Sequence, residues 1–376
     1  MILGKKVRLY PTEEQEQKFR QFGGAARYAY NFGLTKKQEY YEKGVNLNAK
    51  DIRHLLVSQR EDNPWLKDIP EAITKKAIED LVTAYDKYFK GKSGKPKKHK
   101  KKNNFCSFYQ RTDNLHLKED KKEKKIIHNY VKITRIKEYV KCHSIDELPK
   151  PIYNPRIKYD GKYWYLTYSY NVELQKQQLT NEIIGIDLGI KNTAILSNRI
   201  EYSNINKTER VKRIEKHIQD LQRKISHKYL LSKNVKTKNI IKLEKKVSLL
   251  YRRLSNIRDN YNHYITSEIV KTKPSKIVIE DLDIKGMMKD KSKSKAIQSQ
   301  KWYDLREKLT YKCEKNGIQL VVADKRYASS KLCSFCGHKK KVLRLDERVY
   351  KCEKCGMSID RDYNAALNLR NYGIVE

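Results

Sequence analysis

From Ile2 to Tyr10 apolar and basic side chains alternate, with Val7 and Leu9 on one face, which is the period-two pattern of a half-buried strand. Pro11-Thr12-Glu13-Glu14-Gln15 then has the form of a capping box, in which a Thr hydroxyl and a Gln side chain three residues on satisfy the donors at a helix start. A first helical region opens there. Further helices are expected over 25–43, ended by Gly44, over 49–60, and over 70–90, opened by Pro70 and stopped at Gly91. Beyond residue 102 the period shortens to that of strands: 105–109, 130–134, and a hairpin whose arms 156–159 and 163–170 flank Asp160-Gly161. Because the N-terminal strand precedes the helices, it is expected to join this later sheet, leaving the helices as an insertion in a small β-barrel. An apolar strand over 183–187 turns back through 189–192 into 193–196. Val211, Ile214, Ile218, Leu221 and Ile225, and then Leu243, Val247, Leu250, Leu254 and Ile257, recur every three or four residues. They predict two long antiparallel helices joined near Ser232. A strand over 276–280, a helix over 300–315 and a strand over 318–323 complete an α/β C-terminal half.

Charge changes the picture. Lys and Arg number 83 against 45 Asp and Glu, a formal net charge of +38. Such a chain repels itself unless a polyanion is near, which points to nucleic acid. The rival, an anionic membrane, lacks support: there is no apolar run of about 18 residues, no signal-like segment after Met1 and no lipidation motif. The run from Lys90 to Lys102 cannot form a core and is expected to lie on phosphates or in water, as a seam between domains. The 27 Tyr supply stacking faces as well as core material, though A/T-rich codon usage accounts equally well for many of them.

Three short apolar segments each end on a carboxylate: Asp187 after Ile183-Ile184-Gly185-Ile186, Glu280 after Ile277-Val278-Ile279, and Asp362 in Ile359-Asp360-Arg361-Asp362-Tyr363. Carboxylates are hard oxygen ligands for Mg²⁺, and two ions held together can hydrolyse a phosphodiester. Any one of the three reads as readily as a cap on its strand or helix. Their order, hairpin with Asp, strand with Glu, helix with Asp, is what an RNase H-like core requires. Asp360 stands at the helix N-cap and Asp362 in the first turn, free to point sideways, so Asp362 is assigned to the metal.

Cys333-Ser-Phe-Cys336 and Cys352-Glu-Lys-Cys355 are separated by the 15 residues 337–351, the spacing of a four-Cys zinc ribbon. Gly337 and Gly356 after each pair allow the tight knuckle that aims backbone amides at sulfur. Four protein ligands leave no open position, so this metal is structural. His338 reads as a loop residue rather than a ligand, and His263 as packing or capping. The remaining Cys106, Cys142 and Cys313 are scattered, as in a reducing compartment without disulfides.

At Gly185-Ile186-Asp187-Leu188-Gly189-Ile190-Lys191-Asn192, Ile279-Glu280-Asp281-Leu282, Ser329-Ser330-Lys331-Leu332-Cys333 through Gly356, and Asp360 to Ala366, the chain resembles the TnpB (OrfB) family, transposon-encoded nucleases related to type V CRISPR effectors. Val7-Arg8-Leu9-Tyr10-Pro11, Tyr30-Asn31 and Phe105-Cys106-Ser107-Phe108 extend the likeness over essentially the whole chain. The resemblance implies a multidomain α/β plus β-barrel protein. Its parts would be a wedge-like barrel over 1–10 and 92–179, a helical recognition lobe over 11–91, a RuvC-like nuclease over 180–328 and 357–376, and a zinc ribbon over 329–356. It further implies an RNA-guided double-stranded DNA endonuclease, cutting beside a short transposon-adjacent motif. Asp187, Glu280 and Asp362 would hold two Mg²⁺ or Mn²⁺ ions and the four cysteines one Zn²⁺. A guide RNA from the transposon end and target DNA would be its partners, in a monomer of the prokaryotic cytoplasm, associated with the nucleoid. Fourteen residues follow Asp362, a short tail that covers less of the guide but removes no catalytic element.

For nucleic-acid contacts the candidates are Lys75, Lys76, Lys97 and Lys98 on phosphates and Phe105, Phe108 and Tyr109 on unpaired bases. Each lysine is equally a solvated residue and each aromatic equally a core residue; the collective charge carries the argument. Rival readings are a guided DNA-binding protein that does not cut, an accessory ribbon protein that binds transposon ends without RNA, and a junction resolvase. All three acids are present, which disfavours the first, and a minimal resolvase would not need the long N-terminal region. No Tyr nucleophile with a metal-binding His pair supports a transposase.

Overall fold

The computed structural model describes residues 1–101, 106–120, 125–174, 177–344 and 346–375. They form two compact units, Ile2–Val172 and Glu173–Glu376.

In Ile2–Val172 the chain runs β1 (Ile2–Tyr10), α1 (Glu13–Tyr41), α2 (Ala49–Ser58) and α3 (Glu71–Phe89). It continues through β2 (Cys106–Tyr109), β3 (Leu117–Asp120), β4 (Lys125–Val131), β5 (Val140–Cys142), β6 (Ile152–Tyr159) and β7 (Trp164–Asn171). The strands make one seven-stranded antiparallel sheet in the order β2-β6-β7-β1-β5-β4-β3, so the N-terminal strand does join the later sheet. The capping box forms as expected: Thr12 and Gln15 exchange side-chain bonds to each other's amide. One expectation fails. Instead of a first helical region followed by a further helix over 25–43, α1 is a single 29-residue helix that runs through Gly23 and Gly24. Each Gly costs a helix interior about 1 kcal/mol, but a Cβ at position 23 would lie 1.8 Å from Cys106 Sγ, so Gly23 is what lets α1 lie against β2. Phe19 and Phe22, fully buried, then meet Phe108 at ring distances of 5.7 and 5.5 Å. At roughly 1.5–3 kcal/mol for each buried large side chain, that packing outweighs both glycines.

In Glu173–Glu376 the order is β8 (Ile183–Asp187), β9 (Asn192–Leu196), β10 (Glu201–Ser203), α4 (Glu209–Leu231) and α5 (Lys238–Lys271). Then come β11 (Lys276–Glu280), α6 (Ile284–Met287), α7 (Lys291–Gln300), α8 (Trp302–Asn316), β12 (Gln319–Ala323), β13 (Val349–Lys351), β14 (Ser358–Asp360) and α9 (Arg361–Val375). Five strands pair as β10-β9-β8-β11-β12, antiparallel through β9 and parallel across β8, β11 and β12. The long helices α4 and α5 pair through Val211, Ile214, Ile218 and Leu254, the residues whose spacing predicted them. Helix α9 lies directly on the sheet: a Cβ at Gly185 would sit 2.1 Å from the Ala366 carbonyl oxygen, and one at Gly373 would sit 2.5 Å from Val278. Only small residues at the crossing, with Ala365 and Ala366 buried beside them, permit so close an approach.

Candidate functional site

Parallel register brings two of the acids together. Ile279 pairs with Ile186, so the next residues, Glu280 and Asp187, leave adjacent strands side by side at their carboxyl ends, where open α/β sheets place their ligands. Asp362 arrives from α9. Asp360 Oδ1 accepts from the amides of Asp362 and Tyr363, both at 3.0 Å, which makes it the N-cap and leaves the Asp362 carboxylate uncommitted to the helix, as the sequence argument required. Asp281, next to Glu280, is bound by Arg306 at 2.8 Å and Lys325 at 3.7 Å. That pairing leaves Glu280 as the acid facing Asp187.

The three carboxylates oppose one another electrostatically. Burial and then the neighbouring Glu280 and Asp362 charges push the Asp187 carboxyl well above the usual range, and Asp187 and Glu280 share a hydrogen bond. Burial also raises Glu280, against which Ser329, Asp187 and the Arg361 charge pull it down; the Ser329 hydroxyl donates to Glu280 Oε1 at 2.5 Å. Arg348 lies 3.9 Å from Asp362. An all-oxygen, partly buried, self-repelling donor set is one that a hard divalent cation relieves, so these residues fit such an ion.

The four cysteines converge more tightly, with all four Sγ atoms within 4.8 Å of one another. Cys333 to Cys355 and Cys336 to Cys352 are each 3.6 Å apart. Zn–S bonds of about 2.3 Å place the corners of a tetrahedron about 3.8 Å apart, so the set could hold a metal such as zinc. Both knuckles have the same construction: Gly337 (φ 70°) and Gly356 (φ 75°) donate to the Cys333 and Cys352 carbonyls. The Cys355 amide donates to Cys352 Sγ and holds that thiol down at about 6. Tyr350, fully buried, ties the cysteine-bearing segment together through bonds to the Lys331 and His338 carbonyls. His338 contributes that carbonyl and is not among the clustered ligands.

The nucleic-acid candidates divide. Lys75, Lys97 and Lys98 are exposed. Lys76 pairs with Glu79 at 3.2 Å and, with Lys98 and half-buried Tyr109, lines a 660 Å³ cavity in Ile2–Val172. Phe108 is corrected: 1% exposed between Phe19 and Phe22, it offers no face to a base. Phe105 lies outside the described residues. The lysine run is not wholly free either, because His99 stacks on Tyr30 at 3.9 Å and exchanges two hydrogen bonds with Asn31. Arg27 and Arg156, which also line the cavity, went unnoticed; isolated basic residues in a chain this rich in them give no local signal. Among the described residues no helix is long and apolar enough to cross a membrane.

Fold and site together define a mixed α/β protein with three neighbouring carboxylates and four cysteines placed so that they could hold a metal such as zinc. Three family models match it: "Probable transposase" over 166–291, "Cas12f1-like, TNB domain" over 302–369 and "Helix-turn-helix domain" over 1–45. Here residues 1–45 are a strand and one unbroken helix. The "Putative RNA-guided DNA endonuclease InsQ" of Escherichia coli K12 is 26% identical over 97% of this chain and 90% of its own length. "CRISPR-associated endodeoxyribonuclease Cas12f1" of Sulfoacidibacillus thermotolerans is 30% identical over 55% of this chain and 49% of its own. Among solved structures, a Cas12f1–sgRNA–target DNA complex matches with TM-score 0.56 at 20% identity, over 96% of this chain and 83% of that one. The mini-RNA-guided endonuclease CRISPR-Cas_phi3 matches with TM-score 0.53 at 11% identity, over 100% and 92%. By these matches the chain is similar to the TnpB (OrfB) family and to the type V effectors related to it.

Proposed function

We propose that this chain is an RNA-guided, double-stranded DNA endonuclease that uses a transposon-end RNA as guide and cuts beside a short transposon-adjacent motif. The observation that carries the reading is that Asp187 and Glu280 end adjacent parallel strands and share a hydrogen bond, with the Asp362 charge from the start of α9 near enough to raise both. The names of the relatives, two of them RNA-guided or CRISPR-associated DNA endonucleases, support the substrate class. In this reading the five-stranded unit is a RuvC-like nuclease (180–328 and 357–376) carrying a zinc ribbon (329–356). The seven-stranded sheet is a wedge-like barrel (1–10 and 92–179), and 11–91 a helical recognition lobe. The protein acts as a monomer in the cytoplasm, on the nucleoid.

Asp187, Glu280 and Asp362 would hold two Mg²⁺ or Mn²⁺ ions, which when bound activate a water and stabilise the leaving oxygen of the phosphodiester. The protein's own part is placement. Strand register sets Asp187 beside Glu280, the Asp360 cap aims Asp362, and the Arg306–Asp281 pair keeps a fourth carboxylate out. The four thiolates would hold one Zn²⁺ with no coordination position left for water, giving it no part in the chemistry. Base pairing would read sequence, while the +38 chain supplies sequence-independent attraction to the backbones.

To test this, the chain is purified from cells expressing the neighbouring transposon end, its RNA is sequenced, and the complex is given matching duplex DNA and Mg²⁺. Cleavage that requires both the RNA match and Asp187 is expected. RNA-dependent binding without cleavage would replace the nuclease by a guided binding protein, and RNA-free DNA binding would leave only an accessory factor.

A further inference from the structure

The neck of the ribbon, residues 329–334, is held by one face of α9. Asn368 Nδ2 donates to the Ser329 and Leu332 carbonyls at 2.7 and 2.8 Å, and Asn364 Nδ2 donates to Leu332 at 2.6 Å. The Ser334 amide donates to Asn364 Oδ1 at 3.0 Å, and Asn371 Nδ2 reaches the Ser334 carbonyl at 3.3 Å. Asn364, Asn368 and Asn371 follow one another at helical spacing, i, i+4, i+7, so they form a single polar stripe. Asn364 is fully buried, and Asn368 and Ser329 are nearly so, which makes an unsatisfied partner here costly. Tyr327, on the near side of the neck, donates back to the Asn368 carbonyl at 2.9 Å.

What this clamp presents to the acid cluster is one hydroxyl. Ser329 Oγ donates to Glu280 Oε1 at 2.5 Å. Its position is fixed because its own backbone carbonyl is held by Asn368 two turns along the helix whose first turn carries Asp362. Glu280 has three rotatable bonds beyond its strand, and the half-buried end of such a side chain samples several rotamers unless something anchors it. A carboxylate with one oxygen fixed by a donor outside the ligand set is restricted in where its other oxygen points.

We infer that Ser329 is a positioning residue for Glu280, and that the Asn364–Asn368 clamp makes the ribbon neck and the helix bearing Asp362 one rigid frame for the divalent-ion site. The inference rests on the reading of Asp187, Glu280 and Asp362 as metal ligands. Outer partners of this kind change metal affinity by about 10–100-fold when removed.

The test is Mn²⁺ binding to the purified full-length chain, followed by electron paramagnetic resonance, with zinc content and thermal midpoint recorded for each variant. Ser329→Ala is expected to bind Mn²⁺ at least about tenfold more weakly with zinc content unchanged, and Ser329→Thr, which keeps the hydroxyl, to recover most of that loss. In a Glu280→Gln background Ser329→Ala should add little further weakening. If Ser329→Ala does not fold, Ser329→Cys, of similar shape but with only a weak S–H donor, reads the same bond. Wild-type affinity in the alanine or cysteine variant overturns the inference, as does a threonine variant as weak as alanine. Wild-type protein that shows no Asp187-dependent Mn²⁺ binding overturns the ligand reading itself, a distinct result.

Discussion

Four cysteines and three carboxylates, the two sets read as metal ligands in the proposed function, occupy the same unit, and they are assembled in opposite ways. The cysteines are assembled locally: two knuckles of the same construction, closed by Tyr350, bring four sulfurs within 4.8 Å of one another. The carboxylates are assembled from far apart, by strand register and by a helix that lies across the sheet, and burial, followed by their mutual repulsion, lifts Asp187 well above its usual range. A closed local site holds a metal to build structure. An open site built from remote elements, strained until a cation arrives, is suited to chemistry.

That contrast can be broken in several places. Replacing Asp187, Glu280 or Asp362 by Ala should take DNA cleavage to background while leaving RNA and DNA affinity near wild type, because charge at the metal is lost and phosphate contacts are not. Gel-based cleavage and filter-binding assays on one preparation separate the two. Cys333→Ser should instead lower stability and activity together. It should lose zinc, which is worth about 10–16 kcal/mol in isolated zinc modules, and lower the thermal midpoint; an unchanged midpoint with full zinc would remove the structural reading. Gly185→Ala tests the remote assembly itself. With a Cβ 2.1 Å from the Ala366 oxygen and 2.4 Å from the Arg370 nitrogen, α9 must lift, at about 1–3 kcal/mol by denaturant titration, and cleavage should fall although no acid has changed. The smallest effect has the opposite sign. Asp187→Asn, which removes one repelling carboxylate, should stabilise the protein by about 1 kcal/mol when no divalent ion is added, and that gain should shrink or reverse with Mg²⁺.

Much of this was readable from the chain because it is encoded locally. The Thr12–Gln15 box, the Asp160-Gly161 turn, the paired spacing of the cysteines and the Asp360 helix cap each depend on residues a few positions apart. What escaped depends on distant partners. Gly23 and Gly24 look like a break until Cys106 is seen against Gly23. Phe108 reads equally as a stacking platform or as core, and only Phe19 and Phe22, 89 and 86 positions earlier, decide it. The lysine run looks unanchored until His99 meets Tyr30 and Asn31. Ser329 sits in a motif noted for its cysteines, and nothing nearby in sequence discloses that its hydroxyl is spent on Glu280. Short helices such as α6 and α7 also went unpredicted, being too brief for a periodic signal to build up.

The crossing of α9 over β8 also bears on how the molecule is made. Asp187 and Asp362 are 175 positions apart (362 − 187), and a ribosome adding about 5–20 residues per second needs roughly 10–35 s to travel between them. Throughout that interval the chain already carries its basic N-terminal unit but not the helix that completes the acid cluster. On the proposed function, a nascent chain would engage nucleic acid before it could hold the ions that cutting requires, so translation itself would impose a delay between binding and damage.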